Sequence, residues 1–198
     1  MKKIFNMKKI TKLLLLFATI LSLSSCGYNE MVKKSENVES QWAQVENVYQ
    51  RRADLIPNLV NTVKGYADFE KGTLTDVVEA RAKATSMNID ANNLTPENIE
   101  KFQQAQNQLS GALSRLLVTV ERYPDLKANQ NFLELQAQLE GTENRIAVER
   151  RNFNIATQEY NTYIKQFPRV IYAGWFDFEK KGYFQSDEGA NEVPTVEF

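Results

Sequence analysis

Residues 28–66, YNEMVKKSENVESQWAQVENVYQRRADLIPNLVNTVKGY, decide the fold. Apolar side chains recur at Tyr28, Met31, Val38, Trp42, Val45, Tyr49, Ile56, Leu59, Val63 and Tyr66, in steps built from three and four. That spacing is the seam of a bundle helix. It predicts a helix from about Asn29 to about Phe69, a rod of roughly 60 Å at 1.5 Å per residue. Pro57 lies inside it and has no N–H for the carbonyl of Ala53, so a kink is expected there. Gly72 is the expected stop, as a glycine just past the helix end.

Outward from that rod, the same periodicity repeats. Thr73-Leu74-Thr75-Asp76 reads as a cap for a second helix to about Ser86, with the Thr73 hydroxyl serving orphan amides. Met87 to Leu94 (MNIDANNL) reads as a loop. Thr95-Pro96-Glu97 opens a third helix with a hydroxyl cap, a proline at the first helical position and an acid in the first turn. Its seam is Ile99, Phe102, Leu109, Leu113, Leu116, Val120 and Tyr123, and Tyr123-Pro124-Asp125 closes it. A fourth helix runs from about Asn129 to Phe167 and stops before Pro168, with Phe132, Leu135, Leu139, Ile146, Phe153, Tyr160, Tyr163 and Phe167 as its seam. Four such seams need one another. They predict an all-α chain, an elongated antiparallel four-helix bundle over residues 26–168. A parallel coiled-coil oligomer is the other solution, and the short loop between helices three and four favours folding back within one chain. Arg169 to Phe184 (RVIYAGWFDFEKKGYF) is rich in aromatics and is expected to be non-helical, and Gln185 to Phe198 is a loose polar tail.

Upstream of the rod, Lys2, Lys3, Lys8, Lys9 and Lys12 precede an apolar run, Leu13 to Leu21, which has the length of a signal-peptide core and is short for a membrane span. Leu23-Ser24-Ser25-Cys26-Gly27 follows. This resembles the lipobox of bacterial lipoproteins, whose cysteine becomes a diacylglyceryl thioether and, after cleavage, the new N-terminus. Residues 1–25 are therefore expected to be a cleaved signal peptide and Cys26 the lipidation site. An ordinary signal peptide or an uncleaved anchor are the competing readings, and Met7 is an alternative start.

Loss of residues 1–25, which carry five lysines and no acid, leaves 173 residues with 19 basic and 25 acidic side chains, a net charge of −6. That balance argues against nucleic acid. It leaves anchoring to the lipid on Cys26, each buried CH₂ contributing ~0.8 kcal/mol. The chain has no histidine, and Cys26 is its one cysteine. Ser-His-Asp and Cys-His catalysis, His-ligated zinc and thiol chemistry are thereby excluded. No glycine-rich phosphate loop is present. No cofactor is expected beyond the covalent lipid, and no metal.

Several phrases, in order, look like the LemA family of bacterial membrane-tethered proteins. They are Tyr28-Asn29, Gln50 to Val60 (QRRADLIPNLV), Arg81-Ala82, Glu121 to Asn129 (ERYPDLKAN), Thr142 to Ala147 (TENRIA), Arg150 to Asn154 (RRNFN), Tyr160-Asn161 and Phe167-Pro168. The resemblance spans essentially all of the chain after Cys26. It implies a helical bundle held at a membrane with most of the protein on the extracytoplasmic side, and it implies no enzymatic activity. Most members use an N-terminal transmembrane helix where this chain has a lipobox. Gly27, rather than an acid, leans towards the outer membrane by the sorting rule described for some Gram-negative bacteria.

Helix four carries a polar stripe beside its seam: Glu143, Ala147, Arg150, Asn154, Thr157 and Asn161. Helix one carries Arg51, Asp54, Asn58 and Asn61 at comparable spacing, with Arg52 on its apolar seam. In an up-down-up-down chain Asp54 and Glu143 fall at similar heights. Arg52 is then expected to meet Glu143, and Asp54 to meet Arg145 or Arg150. These residues read either as a network that fixes helix register or as a site for carboxylate, phosphate or peptide backbone. Trp175, Phe176, Phe178, Tyr183 and Phe184 likewise read either as a cover over the bundle end or as an exposed surface for a partner or a bilayer interface. An acid pair at Glu121 and Asp125 is explained by its turn.

The function expected is a non-catalytic, periplasm-facing, lipid-anchored scaffold or adaptor on the outer membrane that binds another envelope protein. The alternative is a self-associating, homo-oligomeric organiser of the bilayer.

Overall fold

The computed structural model describes residues 2–65 and 70–186, with side chains at Lys12, 27–65 and 70–186. The side chains of the apolar run 13–21 and of Cys26 lie outside that set, as do Tyr66, Phe69 and the tail 187–198 altogether. Six helices follow one another: α1 (Lys2–Lys64), α2 (Lys71–Ser86), α3 (Pro96–Val120), α4 (Pro124–Lys127), α5 (Gln130–Lys165) and α6 (Arg169–Trp175). There is no strand among the described residues. None of their helices is long and apolar enough to cross a membrane.

Local chemistry sets most of the boundaries. Thr95 caps α3 by accepting from the Asn98 N–H at 3.3 Å, with Pro96 at the first helical position. Asn129 caps α5 by accepting from the Phe132 N–H at 3.1 Å. Pro124 opens the one-turn α4 in the turn between them. Asp90 ties the 87–95 loop by accepting from the Asn92 N–H at 2.9 Å, while Ile89 and Leu94 bury themselves beneath it.

Four expectations are corrected. The first helix begins at Lys2, since Ser24-Ser25-Cys26-Gly27 weakens a helix but holds no proline to stop one, and it ends at Lys64 beside Gly65. Gly72 is therefore not its stop but lies in the first turn of α2, where a Cβ would meet nothing. Thr73 is not the cap either: Glu70 holds that place with an extended backbone and no capping bond from its side chain. Finally, the 169–184 segment is not wholly non-helical, since α6 occupies its first seven residues. Seven residues make only about two turns, too few for a helical period to stand out in the sequence; Val170, Ile171 and Trp175 face solvent, while Ala173 faces the bundle.

The long helices alternate in direction. Lys34 reaches Glu159, and Arg52 reaches Glu143, so α5 runs antiparallel to α1. Arg115 lies 3.9 Å from Asp76, and Arg122 lies 3.1 Å from Glu70, so α3 runs antiparallel to α2. Two cores result. In one, Ile56, Leu59 and Val63 of α1 meet Leu74 and Val77 of α2, Leu109 to Val120 of α3, and Phe132 and Leu139 of α5. In the other, Met31 to Tyr49 of α1 meet Ile99 and Phe102 of α3 and Ile146 to Ile164 of α5. The sixteen-residue α2 does not reach this second core. The loop residues Ile89 and Leu94, with Ala173 and Phe184, close it instead.

Candidate functional site

Arg52 stands where the two cores meet, on the seam that otherwise carries Tyr49 and Ile56. It is 1% exposed. One terminal nitrogen donates to Ser110 Oγ at 2.8 Å and to Glu143 Oε2 at 3.0 Å. The other donates to Gln106 Oε1 at 2.6 Å and to the Gln106 carbonyl at 3.3 Å. The guanidinium also lies 5.0 Å from the centre of the Tyr49 ring. Among the described residues Glu143 is the only carboxylate bonded to it, and that side chain is 55% exposed. The buried cation is thus neutralised from the rim of a groove of about 1050 Å³ between α2, α3 and α5. Acids, bases and amides line that groove, among them Glu79, Lys83, Gln104, Arg115 and Arg150.

Pro57 has a consequence one helix away. The Ala53 carbonyl that it leaves unserved accepts from Arg81 Nε of α2 at 2.7 Å. The break in the ladder of α1 and the Arg81-Ala82 phrase of α2 are one feature, since a buried carbonyl needs a donor from somewhere.

The polar stripe of α5 faces the C-terminal segment. Asn161 donates to the Lys181 carbonyl at 2.8 Å and accepts from its N–H at 3.0 Å. Asn154 does the same with Phe184, at 2.8 and 2.9 Å. Gln103 of α3 repeats the arrangement with Gln185, at 2.9 and 3.0 Å. Each carboxamide uses one N–H and its oxygen, so it pairs with an extended residue as a neighbouring strand would. Gly182 donates to the Leu94 carbonyl at 2.8 Å and passes so close that a Cβ there would stand 2.7 Å from Pro96 Cα. Lys181 Nζ meets Glu39 at 2.9 Å. Tyr160 donates to the Glu179 carbonyl at 3.0 Å, and burial, followed by the charges of Glu39 and Glu179, pushes its phenol up to about 12.

The expected site residues therefore divide. Arg52 and Glu143 meet. Asp54 accepts from Gln50 at 2.7 Å, and no ion pair among the described residues joins it to Arg145 or Arg150. The reason is facing: Arg51, Asp54, Asn58 and Arg145 are all exposed. Arg150 donates to the Gln185 carbonyl at 2.7 Å and covers the Phe184 ring, so it belongs with Asn154 to the segment clasp. The aromatic set divides too. Phe184 is buried, stacked on Trp42 at 6.1 Å and edge-on to Phe153 at 5.5 Å. Phe178 and Tyr183 are half-buried, whereas Trp175 and Phe176 are exposed. Sequence reasoning missed Gln103, Gln106, Ser110 and Arg81. Gln103 and Gln106 interrupt the apolar pattern of α3 as buried amides, which was the available signal.

Among the described residues no group of His, Cys, Asp or Glu is arranged to hold a metal. The site can hold extended backbone through amides and pair charges across a groove.

The chain is 24% identical over 160 residues to Protein LemA of Metamycoplasma hominis, a match covering 81% of this chain and 69% of that protein. It is 25% identical over 190 residues to Magnetosome protein MamQ 2 of Paramagnetospirillum magneticum, covering 85% and 68%. MamQ of Magnetospirillum gryphiswaldense is 24% identical over the same length and coverage. The sequence profile of the LemA family matches residues 41–198, which takes in Arg52, Pro57, Arg81, Glu143 and the whole amide clasp. This chain belongs to the LemA family.

Proposed function

We propose that the protein is a membrane-anchored scaffold or adaptor that binds other cell-envelope proteins and carries out no catalysis. The lipid on Cys26 holds it, facing the periplasm, on the outer membrane. One observation carries this reading: the bundle holds an extended segment of its own chain through three side-chain amides, and Gln185 at the end of that segment lines the groove beside Arg52 and Glu143. The groove therefore continues a surface already suited to extended backbone. An extended stretch of a partner adds its backbone to the groove amides and its charges to Lys83, Arg115 and Glu79.

Photo-crosslinking in membranes tests this. A crosslinker at Gln104 in the groove is expected to capture a discrete envelope protein, and one at exposed Val148 is not. Capture is lost in Arg52→Met and in Cys26→Ala. The same products from both positions would overturn the groove. Recovery of only this chain would favour the second reading, a self-associating bilayer organiser. That reading draws on the relatives named for the magnetosome, whose names denote no reaction.

A further inference from the structure

One exposed apolar surface is unlike the rest of the molecule. Among the described residues eleven large apolar side chains are exposed, and six of them gather at α6: Tyr28, Phe167, Val170, Ile171, Trp175 and Phe176. The other five are scattered on α2, α3 and α5. Val170, Ile171, Gly174 and Trp175 share one face of α6, and Phe167 lies in the turn just before it. This is the face that a helix in water turns inward, and here it is turned outward, with Trp175 76% exposed and Phe167, in the preceding turn, 81% exposed. Ala173 and Tyr172 supply the inner face, and Tyr172 packs so closely on Gly27 that a Cβ there would strike its ring.

Position selects what this face meets. The Tyr28 ring lies 5.0 Å from Phe176 and 5.7 Å from Phe178, so α6 is fastened to α1 two residues beyond Cys26. Leu21, the end of the apolar run, is seven residues before Tyr28, or about 10 Å along the same helix. Whether lipid on Cys26 or the apolar run itself enters the bilayer, α6 stands at headgroup depth. Its composition suits that depth: Trp and Phe with aliphatic neighbours favour the interface, and Lys165 and Arg169 flank them towards anionic headgroups.

We infer that the α6 face lies in the bilayer interface beside the N-terminal anchor, so that a protein surface as well as the anchor fixes the tilt and rotation of the bundle. This rests on the membrane-anchoring reading above, and its test separates the two. The chain has two tryptophans, Trp42 fully buried and Trp175 exposed, so Trp42→Phe leaves a single reporter on the face. If that variant does not fold, the difference between the native chain and Trp175→Phe gives the same signal.

The full chain, purified from membranes with its lipid, is mixed with phosphatidylethanolamine–phosphatidylglycerol vesicles that contain lipid brominated near the top of the acyl chain. Flotation reads anchoring, and Trp175 emission reads the face. The protein is expected to float with Trp175 blue-shifted and about half-quenched by the bromolipid. Phe167→Ser with Ile171→Ser should relieve the quenching without loss of flotation. A floating protein whose Trp175 is quenched by aqueous iodide alone would overturn the inference while leaving the anchor intact. Quenching by neither agent would place a protein partner or a second copy on the face and overturn it equally. Failure to float would remove the anchoring reading, and this inference with it.

Discussion

The two ends of the bundle are closed in different ways. Around Leu116 the core is shut by α2, whose Leu74 and Val77 repeat the helical period of the other three walls. Around Trp42 the corresponding wall is an extended segment held by Asn161, Asn154 and Gln103, with Phe184 as its one deeply buried aromatic. A helix satisfies its own backbone, so any helix with an apolar stripe can close a bundle. An extended segment arrives with unsatisfied amides and carbonyls, so the bundle must present side chains that replace the missing strand. The first closure depends on apolar area. The second depends on a few polar groups placed within tenths of an ångström.

Cavity mutations at the two ends break the comparison most severely. Phe184→Ala empties the space between Trp42, Phe102 and Phe153 and is expected to cost about 3–5 kcal/mol in urea unfolding. Leu116→Ala, at 0% exposure, should cost about 2–5 kcal/mol. Amide exchange is the sharper reading. Phe184→Ala should speed exchange at Val38 to Tyr49 and spare Leu109 to Val120, and Leu116→Ala should do the reverse. Equal loss along the whole chain in both variants would mean that the bundle opens as one unit and the two closures differ only in geometry.

Arg52 sits between the two ends and is expected to show the next largest effect. Glu143→Ala leaves a guanidinium that is 1% exposed without its carboxylate. Because Glu143 is itself 55% exposed, the cost should fall below the ~3–5 kcal/mol of a fully buried pair, at about 1–3 kcal/mol. Arg52→Met removes the stranded charge, so the double variant should recover most of that loss in thermal unfolding. If Arg52→Met alone leaves stability and the Gln104 crosslink unchanged, the charge serves neither register nor binding.

How much of this was legible in the sequence follows from the same contrast. Thr95 and Asn129 set their boundaries through bonds to residues three away, and Pro168 bars α5 from running on, all of which a single chain displays. The Arg52–Glu143 pair followed from counting residues along two antiparallel rods. The clasp did not, because the stripe Arg150, Asn154 and Asn161 is visible but its partners lie 20 to 35 residues downstream in a segment with no burial period. α6 is hard to read for another reason: its seven residues make about two turns, too short a run for a period, and Pro168 supplies no side-chain cap to announce it.

Arg81 tests a link that the sequence half disclosed. Arg81→Ala is expected to cost about 1–2 kcal/mol by leaving the Ala53 carbonyl unserved. Pro57→Ala restores an N–H to α1 and should make the Arg81 substitution nearly silent. The double-mutant cycle then carries a coupling near the full cost of the single change. Additive effects would show that Arg81 acts through packing alone.

The smallest effect concerns how the extended closure begins. Asp177 ends α6 in the left-handed region, at φ 55°, and the Phe178 N–H reaches back to the Ala173 carbonyl at 3.0 Å, a bond that spans the turn. Asp tolerates this conformation better than most residues but still strains in it, whereas glycine does not. Asp177→Gly relieves that strain and adds chain entropy to the unfolded state, so a net gain below about 1 kcal/mol is expected. The gain should appear as slower exchange in the 181–185 segment and leave the α2 end unmoved. A loss instead would mean that the Asp177 carboxylate contributes more than backbone shape. The direction of the amide clasp would then be set by charge at the α6 turn rather than by the turn itself.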